Sequence, residues 1–379
     1  MSAMAPVGVG VIGAGNISDE YLRTLGAAVD IELIGIADVD ASRAVEQAER
    51  YNIPFGGSPD GLLARPDVEL IVNLTIPSAH AEVTLGAIGA GKHVWAEKPM
   101  ALDRASARRV LEAAARAGVL VGNAPDTILG EGIQTSAALL ESGRIGEPQT
   151  VLTLMQGPGP DAWHPRPQFL FANGAGPLFD IGPYYVTTLV QLLGPIESVS
   201  AFGHRARQER VIGSGPDAGT RFPVEVDTHL SVLTRFASGV VGTSVYSFDS
   251  SQRRQLFEVT GSTGVLRVPV SGFDGTSEVL DGDDRDVEWE SIAPVGAHRE
   301  RGVGAVDLAR AIRTKGSPRA SARLAYHVLD AMLAIEESAK NGVPVFLHST
   351  AAPVDPVPPE WDPSTAMTDT VKDQTGVRG

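Results

Sequence analysis

The sequence predicts an α/β protein of two domains. The first is a parallel sheet covered by helices on both faces; the second is an α+β domain with a large, mostly antiparallel open sheet. Three observations predict this. Apolar strands alternate with amphipathic helices, joined by short Gly/Pro loops, over roughly the first 127 residues. Strand-like runs then follow one another with no helix between them. Finally, 379 residues at about 150 per domain give two domains and a remainder.

In the first domain, expected over 1–127, strands are predicted at 7–12, 31–37, 68–74, 93–96 and 119–122. Helices are predicted at 18–28, 43–51, 79–90 and 104–117. In the second, expected over 128–350, a helix at 132–142 precedes a strand near 150–155, a Pro/Gly-rich stretch at 157–167 and a helix at 183–193. Strands follow at 198–202, 226–236, 240–248 and 256–260, and helix returns over 306–341. Two charged, Gly-rich segments, 205–221 and 281–301, read as surface loops. Residues 351–379 hold five prolines with little apolar periodicity, which reads as a disordered tail or an extended arm on a partner subunit.

Composition excludes whole classes of chemistry. There is no cysteine, so disulfides, thiolate nucleophiles, Cys-ligated zinc and iron–sulfur clusters are ruled out. The net charge of −15 is spread along the chain, with no basic face for nucleic acid or an anionic membrane. The histidines show no metal-ligand spacing, and no metal is expected. No run reaches a membrane span and the N-terminus lacks a basic leader, so a cytoplasmic protein is expected.

The segment Gly13-Ala14-Gly15-Asn16-Ile17-Ser18 follows a buried strand and opens a helix. Gly13 permits a tight turn, and Gly15 lets backbone amides approach a pyrophosphate at the helix N-terminus. Ser18 stands where the third glycine of the dinucleotide fingerprint would be, and is small enough to keep helix and strand close. Asp38 ends the second strand 23 residues after Gly15, a spacing that suits a carboxylate on the adenosine ribose. The alternative for Asp38 is a helix N-cap or turn residue. With Asp40 beside it, a 2′-phosphate would be repelled, so NAD is favoured over NADP; Arg43 keeps NADP open.

Glu97-Lys98-Pro99 follows the fourth strand at the carboxyl edge, where open α/β sheets bind ligands. Only five of the 31 basic residues are lysines, which sets Lys98 apart from surface decoration. Its ammonium can bind a sugar hydroxyl and assist a neighbouring acid–base group. A solvated turn is the structural alternative.

Together with the Thr75-Ile76-Pro77 turn and His80 beyond it, these motifs resemble the family of glucose–fructose oxidoreductases and inositol dehydrogenases, Gfo/Idh/MocA, over residues 6–350. The resemblance implies a Rossmann domain followed by a substrate domain built on a large open sheet. It also implies NAD contacts by Gly13, Gly15, Asn16, Ile17, Asp38, Thr75, Pro77, His80, Glu97 and Lys98. The family's second-domain motif, Gly-rich and then Asp-x-Gly-x-His, matches Gly174 to Tyr184. Asp180 is kept and Tyr184 stands at the histidine position, as in the tyrosine branch that includes glucose–fructose oxidoreductase and dihydrodiol dehydrogenase. Lys98, Tyr184 and Asp180 are then the expected catalytic set. Tyr184, assisted by Lys98, takes a hydroxyl proton while Asp180 holds a neighbouring hydroxyl. A phenol ordinarily titrates near 10 and needs adjacent positive charge to act as a base at neutral pH.

Three further residues are substrate candidates. Trp163 and His164 lie in the Pro-rich stretch, where a ring could stack on a sugar face; a plain surface loop is the alternative. Asp126 follows the fifth predicted strand and could contact substrate or cap the next helix. His327 shares a helix face with Leu324, Val328 and Met332 and reads as a core histidine. The expected function is NAD-dependent oxidation of a secondary hydroxyl of a neutral sugar, glycoside or polyol. The expected partner is a second copy of the chain, forming a homodimer or homotetramer through the C-terminal sheet. The alternatives are an NAD-dependent glycosidase acting by transient C3 oxidation and elimination, or a non-catalytic dinucleotide-binding regulator.

Overall fold

A computed structural model describes residues 4–270, 272–282 and 288–366. Parts of the expected loop at 281–301 and of the tail, residues 283–287 and 367–379, therefore lie outside the described residues. The chain forms two compact units that are not consecutive stretches of sequence. One holds residues up to Leu129, Gly296–Tyr326 and the chain from Val357; the other holds Gly130–Val295 and His327–Pro356.

The first unit begins with β1 (Val7–Ile12), α1 (Ser18–Ala27), β2 (Ile31–Ala37), α2 (Ala41–Tyr51), β3 (Phe55–Gly57) and α3 (Pro59–Leu63). It continues with β4 (Leu70–Asn73), α4 (His80–Gly89), β5 (His93–Ala96), α5 (Arg104–Ala117) and β6 (Val121–Asn123). The six strands are all parallel, in the order β3-β2-β1-β4-β5-β6. Every residue of β1 and β4 is buried, which is why both are apolar or glycine except for Asn73, whose amide donates to the His80 carbonyl and Thr84 Oγ1. Asp40, Ser58 and Asp103 cap α2, α3 and α5, and α5 ends on Gly118 at φ 67°. The β3–α3 pair was not expected: Phe-Gly-Gly is too short to show a period, and it forms the sheet's edge.

The second unit contains α6 (Glu131–Glu141), β7 (Pro148–Gln156), α7 (Gly176–Asp180), α8 (Gly182–Leu193) and β8 (Ile196–His204). Next come β9 (Glu209–Val211), β10 (Arg221–Pro223), β11 (His229–Phe236), β12 (Val241–Ser247) and β13 (Arg254–Gly261). The last strands of this run are β14 (Gly264–Arg267), β15 (Ser277–Asp281) and β16 (Glu290–Ile292). The chain then returns to the first unit through α9 (Val303–Thr314), enters α10 (Ala322–Asn341) and ends its regular structure at β17 (Val345–Phe346). Nine strands form one sheet in the order β16-β15-β14-β13-β7-β12-β11-β8-β17, antiparallel except for β7 with β12. Burial alternates along β11, and the outward face carries exposed Leu152, Phe202, Leu233 and Val241. α7 contacts β12, and α6 contacts β15 and α8.

Three expectations are corrected. The segment 205–221 is not all loop: β9 lies within it and pairs antiparallel with β10, which begins at its last residue. The single helix at 306–341 is two helices: Lys315 takes a left-handed conformation at φ 56°, and Gly316 and Pro318 follow it before α10 begins. The described part of the tail is held on its own chain rather than disordered. Arg310 donates to the carbonyls of Asp362 and Thr365, both at 2.7 Å, and Arg299 donates to the carbonyl of Trp361 at 3.1 Å. The Trp361 ring lies 4.5 Å from the Arg310 guanidinium and 5.4 Å from that of Arg299. Trp361→Ala should therefore lower stability by about 2 kcal/mol, the scale of a desolvated cation–π contact, as read by urea denaturation. An unchanged midpoint would show that this strap adds nothing to the first unit.

His327 is a core residue as expected. It is buried, its Nε2 accepts from the Ile196 amide at 2.9 Å, and burial holds its pKa below the usual imidazole range. Among the described residues no helix is long and apolar enough to cross a membrane, and no cluster of three metal-ligating side chains occurs.

Candidate functional site

In the first unit the candidate residues gather at the carboxyl edge of the parallel sheet, around the point where strand order reverses between β1 and β4. Gly13 has φ 112°, and a Cβ there would lie 2.6 Å from the carbonyl carbon and oxygen of Leu74. Both its conformation and the approach of the chain after β4 require glycine. A Cβ on Gly15 would meet nothing within 4 Å, so the turn opens onto free space. Ser18 Oγ donates to the Gly15 carbonyl at 2.7 Å, which fixes the turn. No side chain caps α1, unlike α2, α3 and α5. Asn16 is exposed on the turn and Ile17 stands at the N-cap of α1.

Asp38 lies beside this turn. One carboxylate oxygen accepts the Ala14 amide at 2.8 Å and the other the Asp40 amide at 3.0 Å. The N-cap of α2 is Asp40, so the capping alternative considered for Asp38 falls to its neighbour. A carboxylate offers about four lone-pair sites, so two bonds to the main chain leave capacity for ribose hydroxyls. The open turn, the uncapped helix and this carboxylate fit a dinucleotide: Gly13, Gly15 and Asn16 would face the pyrophosphate and Asp38 the ribose.

Thr75 and His80 organise the turn after β4. Thr75 Oγ1 donates to Asn73 Oδ1 at 2.6 Å, and the buried His80 ring has the carbonyls of Pro99 and Thr75 at 2.7 and 2.8 Å from its two nitrogens. His80 thus ties the turn that starts at Pro77 to the loop bearing Lys98. Glu97 is buried beneath that loop. Its carboxylate accepts from Tyr21 Oη at 2.8 Å and from the Lys98 amide at 2.9 Å, and Arg301 lies at 3.5 Å. Its own partners are protein groups, which makes it the anchor of Lys98. The Lys98–Pro99 bond is cis. Asn123 donates to the carbonyls of Ala96 and Glu97 at 2.7 and 3.0 Å, holding the end of β5 from β6.

Asp126 is fully buried. It caps neither the next helix nor an open surface: its Oδ2 accepts the amides of Gly302 and Gly304, at 2.7 and 3.3 Å, at the start of α9. Burial and the nearby Glu97 push its pKa up to about 6, against the pull of Arg301 and the two amides.

The second unit presents its own cavity of about 520 Å³, lined by Asp180, Trp163, Gln156, Gln255 and Phe248 among others. Asp180 is the last residue of α7, and Tyr184 lies buried in the first turn of α8. The cavity thus brings Asp180 and Trp163 together, and Tyr184 is not among its lining residues. His164 stacks edge-on between Trp163 and Phe169. Arg210 and Gln156 were not anticipated: an arginine in a charged loop and a glutamine at a strand end carry no sequence signal of what they face.

Residues 7–124 match the family described as "Oxidoreductase family, NAD-binding Rossmann fold", and residues 133–267 match the GFO/IDH/MocA C-terminal domain. A dTDP-3,4-didehydro-2,6-dideoxy-alpha-D-glucose 3-reductase from Actinomadura kijaniata is 32% identical over 271 residues, 69% of this chain and 74% of the relative. The chain belongs to the Gfo/Idh/MocA oxidoreductase family. A second relative, the myo-inositol 2-dehydrogenase of Thermotoga maritima, is 27% identical over 264 residues, 68% of this chain and 73% of its own. Among solved structures, an NAD-binding oxidoreductase from Klebsiella pneumoniae superposes with a TM-score of 0.80 at 23% identity, covering 91% of this chain and 99% of that one. The fold is therefore the Rossmann-plus-open-sheet architecture, and the protein is an oxidoreductase with an NAD-binding domain.

Proposed function

We propose that this Gfo/Idh/MocA member oxidises a secondary hydroxyl of a neutral sugar, glycoside or polyol, with NAD as the electron acceptor and Lys98 and Tyr184 as the acid–base pair. One observation carries the reading: at the carboxyl edge of the sheet the backbone around Lys98 is fixed from two sides, Glu97 accepting the Lys98 amide and His80 bonding the Pro99 carbonyl. Two relatives support the substrate class, since one is named for the polyol myo-inositol and another for the neutral sugar 1,5-anhydro-D-fructose. The nicotinamide, when bound, supplies the two-electron acceptor. Tyr184 Oη takes the hydroxyl proton as the carbonyl forms. Lys98 assists by stabilising the oxygen that loses its proton. Asp180 orients the sugar by accepting a hydrogen bond from a neighbouring hydroxyl.

The test is growth of reduced nicotinamide when purified protein meets NAD and a panel of hexoses, inositols and glycosides. No reduction on any member would refute the proposal, and sugar release without net reduction would replace it with transient oxidation and elimination. Asp38 sets the cofactor preference. Asp38→Ser should weaken NAD binding about tenfold, the worth of one charged hydrogen bond, and narrow the NAD:NADP ratio of kcat/KM. An unchanged ratio would remove Asp38 from the ribose. The protein is also proposed to form a homodimer or homotetramer through the outward face of the nine-stranded sheet. Exposed Leu152, Leu233 and Val241 there line a groove of about 780 Å³.

A further inference from the structure

The stretch carrying Trp163 and His164 is irregular except for two single turns, Pro160–Ala162 and Gln168–Leu170, yet it is firmly held. Arg210 of β9 is 2% exposed at its side chain. It donates to the carbonyls of Pro158 and Phe248, both at 2.7 Å, and to the carboxylates of Asp161 and Asp249 at 2.9 and 2.6 Å. The Gly213 amide donates to the Asp161 carbonyl at 2.8 Å, and Ser214 Oγ donates to that of Trp163 at 2.6 Å. A Cβ on Gly213 would lie 2.8 Å from the Ala162 oxygen, so the ribbon and the stretch are in tight contact. Burying an arginine costs several kcal/mol unless its partners are well placed. A loop that merely crosses a surface has no need of such an anchor.

What the anchor presents is a row of three rings. Trp163, His164 and Phe169 stand edge to face with centroids 5.5 and 5.4 Å apart, and Trp163 and Phe169 are each 60% exposed. Trp163 belongs also to the wall of the Asp180 cavity, whereas Phe169 does not, so the row leads outward from that wall. Inside the cavity wall, Gln156 Oε1 is buried without a hydrogen-bond partner, a polar group left for a hydroxyl to satisfy.

We infer that the Trp163–His164–Phe169 row is a second subsite that stacks the ring attached to the sugar being oxidised, so that the substrate is a disaccharide or aryl glycoside rather than a free monosaccharide or inositol. This rests on the proposed reading that Asp180 holds the reacting sugar. The face of a pyranose is a patch of C–H groups, and an aryl aglycone is apolar throughout; both suit exposed rings fixed in place before binding. The cavity's 520 Å³ falls in the range that takes ligands larger than one hexose.

The experiment uses the NADH-loaded enzyme. Glucose, cellobiose, maltose and phenyl β-glucoside are titrated by calorimetry, and the same sugars are assayed for turnover with NAD. The expected result is that at least one two-ring ligand binds about tenfold more tightly than glucose, and that Phe169→Ala cuts this ratio to about twofold. Phe169 is a surface residue, so this variant tests the row without opening the core. Equal affinity for one-ring and two-ring sugars, no binding by any of them, or a ratio unmoved in Phe169→Ala would overturn the subsite even in an active dehydrogenase. Tight two-ring binding with no turnover would leave the subsite standing and defeat the oxidation reading instead.

Discussion

Tyr184→Phe is expected to lower kcat/KM by about 10²–10⁴-fold, the ordinary worth of a positioned acid–base group, and Lys98→Ala by a similar factor. Tyr184 is buried in the first turn of α8, and phenylalanine keeps its ring packing, so the loss isolates the hydroxyl. NAD affinity should stay within about twofold of wild type in Tyr184→Phe, because the lost group acts on the substrate's proton. The double variant should be little worse than either single one, since two residues that act as a unit lose the step once. The measurement is the initial rate of nicotinamide reduction against substrate concentration. Tyr184→Phe within threefold of wild type would take the base role away from the tyrosine, and additive losses would show that the two groups act separately.

Much of the first unit was legible because its strands are buried on both faces. β4 was read as 68–74 and is shorter, Leu70–Asn73, with the polar Asn73 at its end, whereas β1 is apolar or glycine throughout and its bounds were read directly. The same holds for the glycine turn, whose conformation and close approach to Leu74 leave no other residue type. The short strands β3, β14, β15 and β16 carry three to five residues each, too few to set up a period, and two of the three residues of β3 are glycine. The side chains that hold the site were the least legible. Arg210 and Arg299 are buried with carbonyl or carboxylate partners supplied by distant segments. A charged side chain is read as solvent-facing unless its partner is known, and the partner of Arg210 at Asp249 lies 39 residues away. Asp126 shows the same limit. Its place after β6 marked it as an edge residue, but the helix it caps begins more than 170 residues later.

That placement makes Asp126 the origin of a pH effect. Asp126→Asn should gain stability relative to wild type as pH rises. The carboxyl is buried, faces Glu97 and Arg301, and has its pKa pushed up to about 6 from an ordinary 3.8. A raised carboxyl pKa means that the folded state holds this proton more tightly than the unfolded chain. The stabilisation is fully present below pH 3.8 and is lost as pH climbs through about 6. The loss approaches about 3 kcal/mol above pH 7, and most of it, about 2 kcal/mol, falls between about pH 4 and pH 8. Asparagine carries no charge to bury, and its amide oxygen can still accept the Gly302 and Gly304 amides that start α9. The difference in unfolding free energy, variant minus wild type, should therefore climb by about 2 kcal/mol across that range when urea melts are compared at each pH. A flat difference would mean that Asp126 keeps its charge in the fold at no cost, with Arg301 and the helix amides fully offsetting burial. A falling one would reverse the sign and show the carboxylate to be the form the first unit is built around.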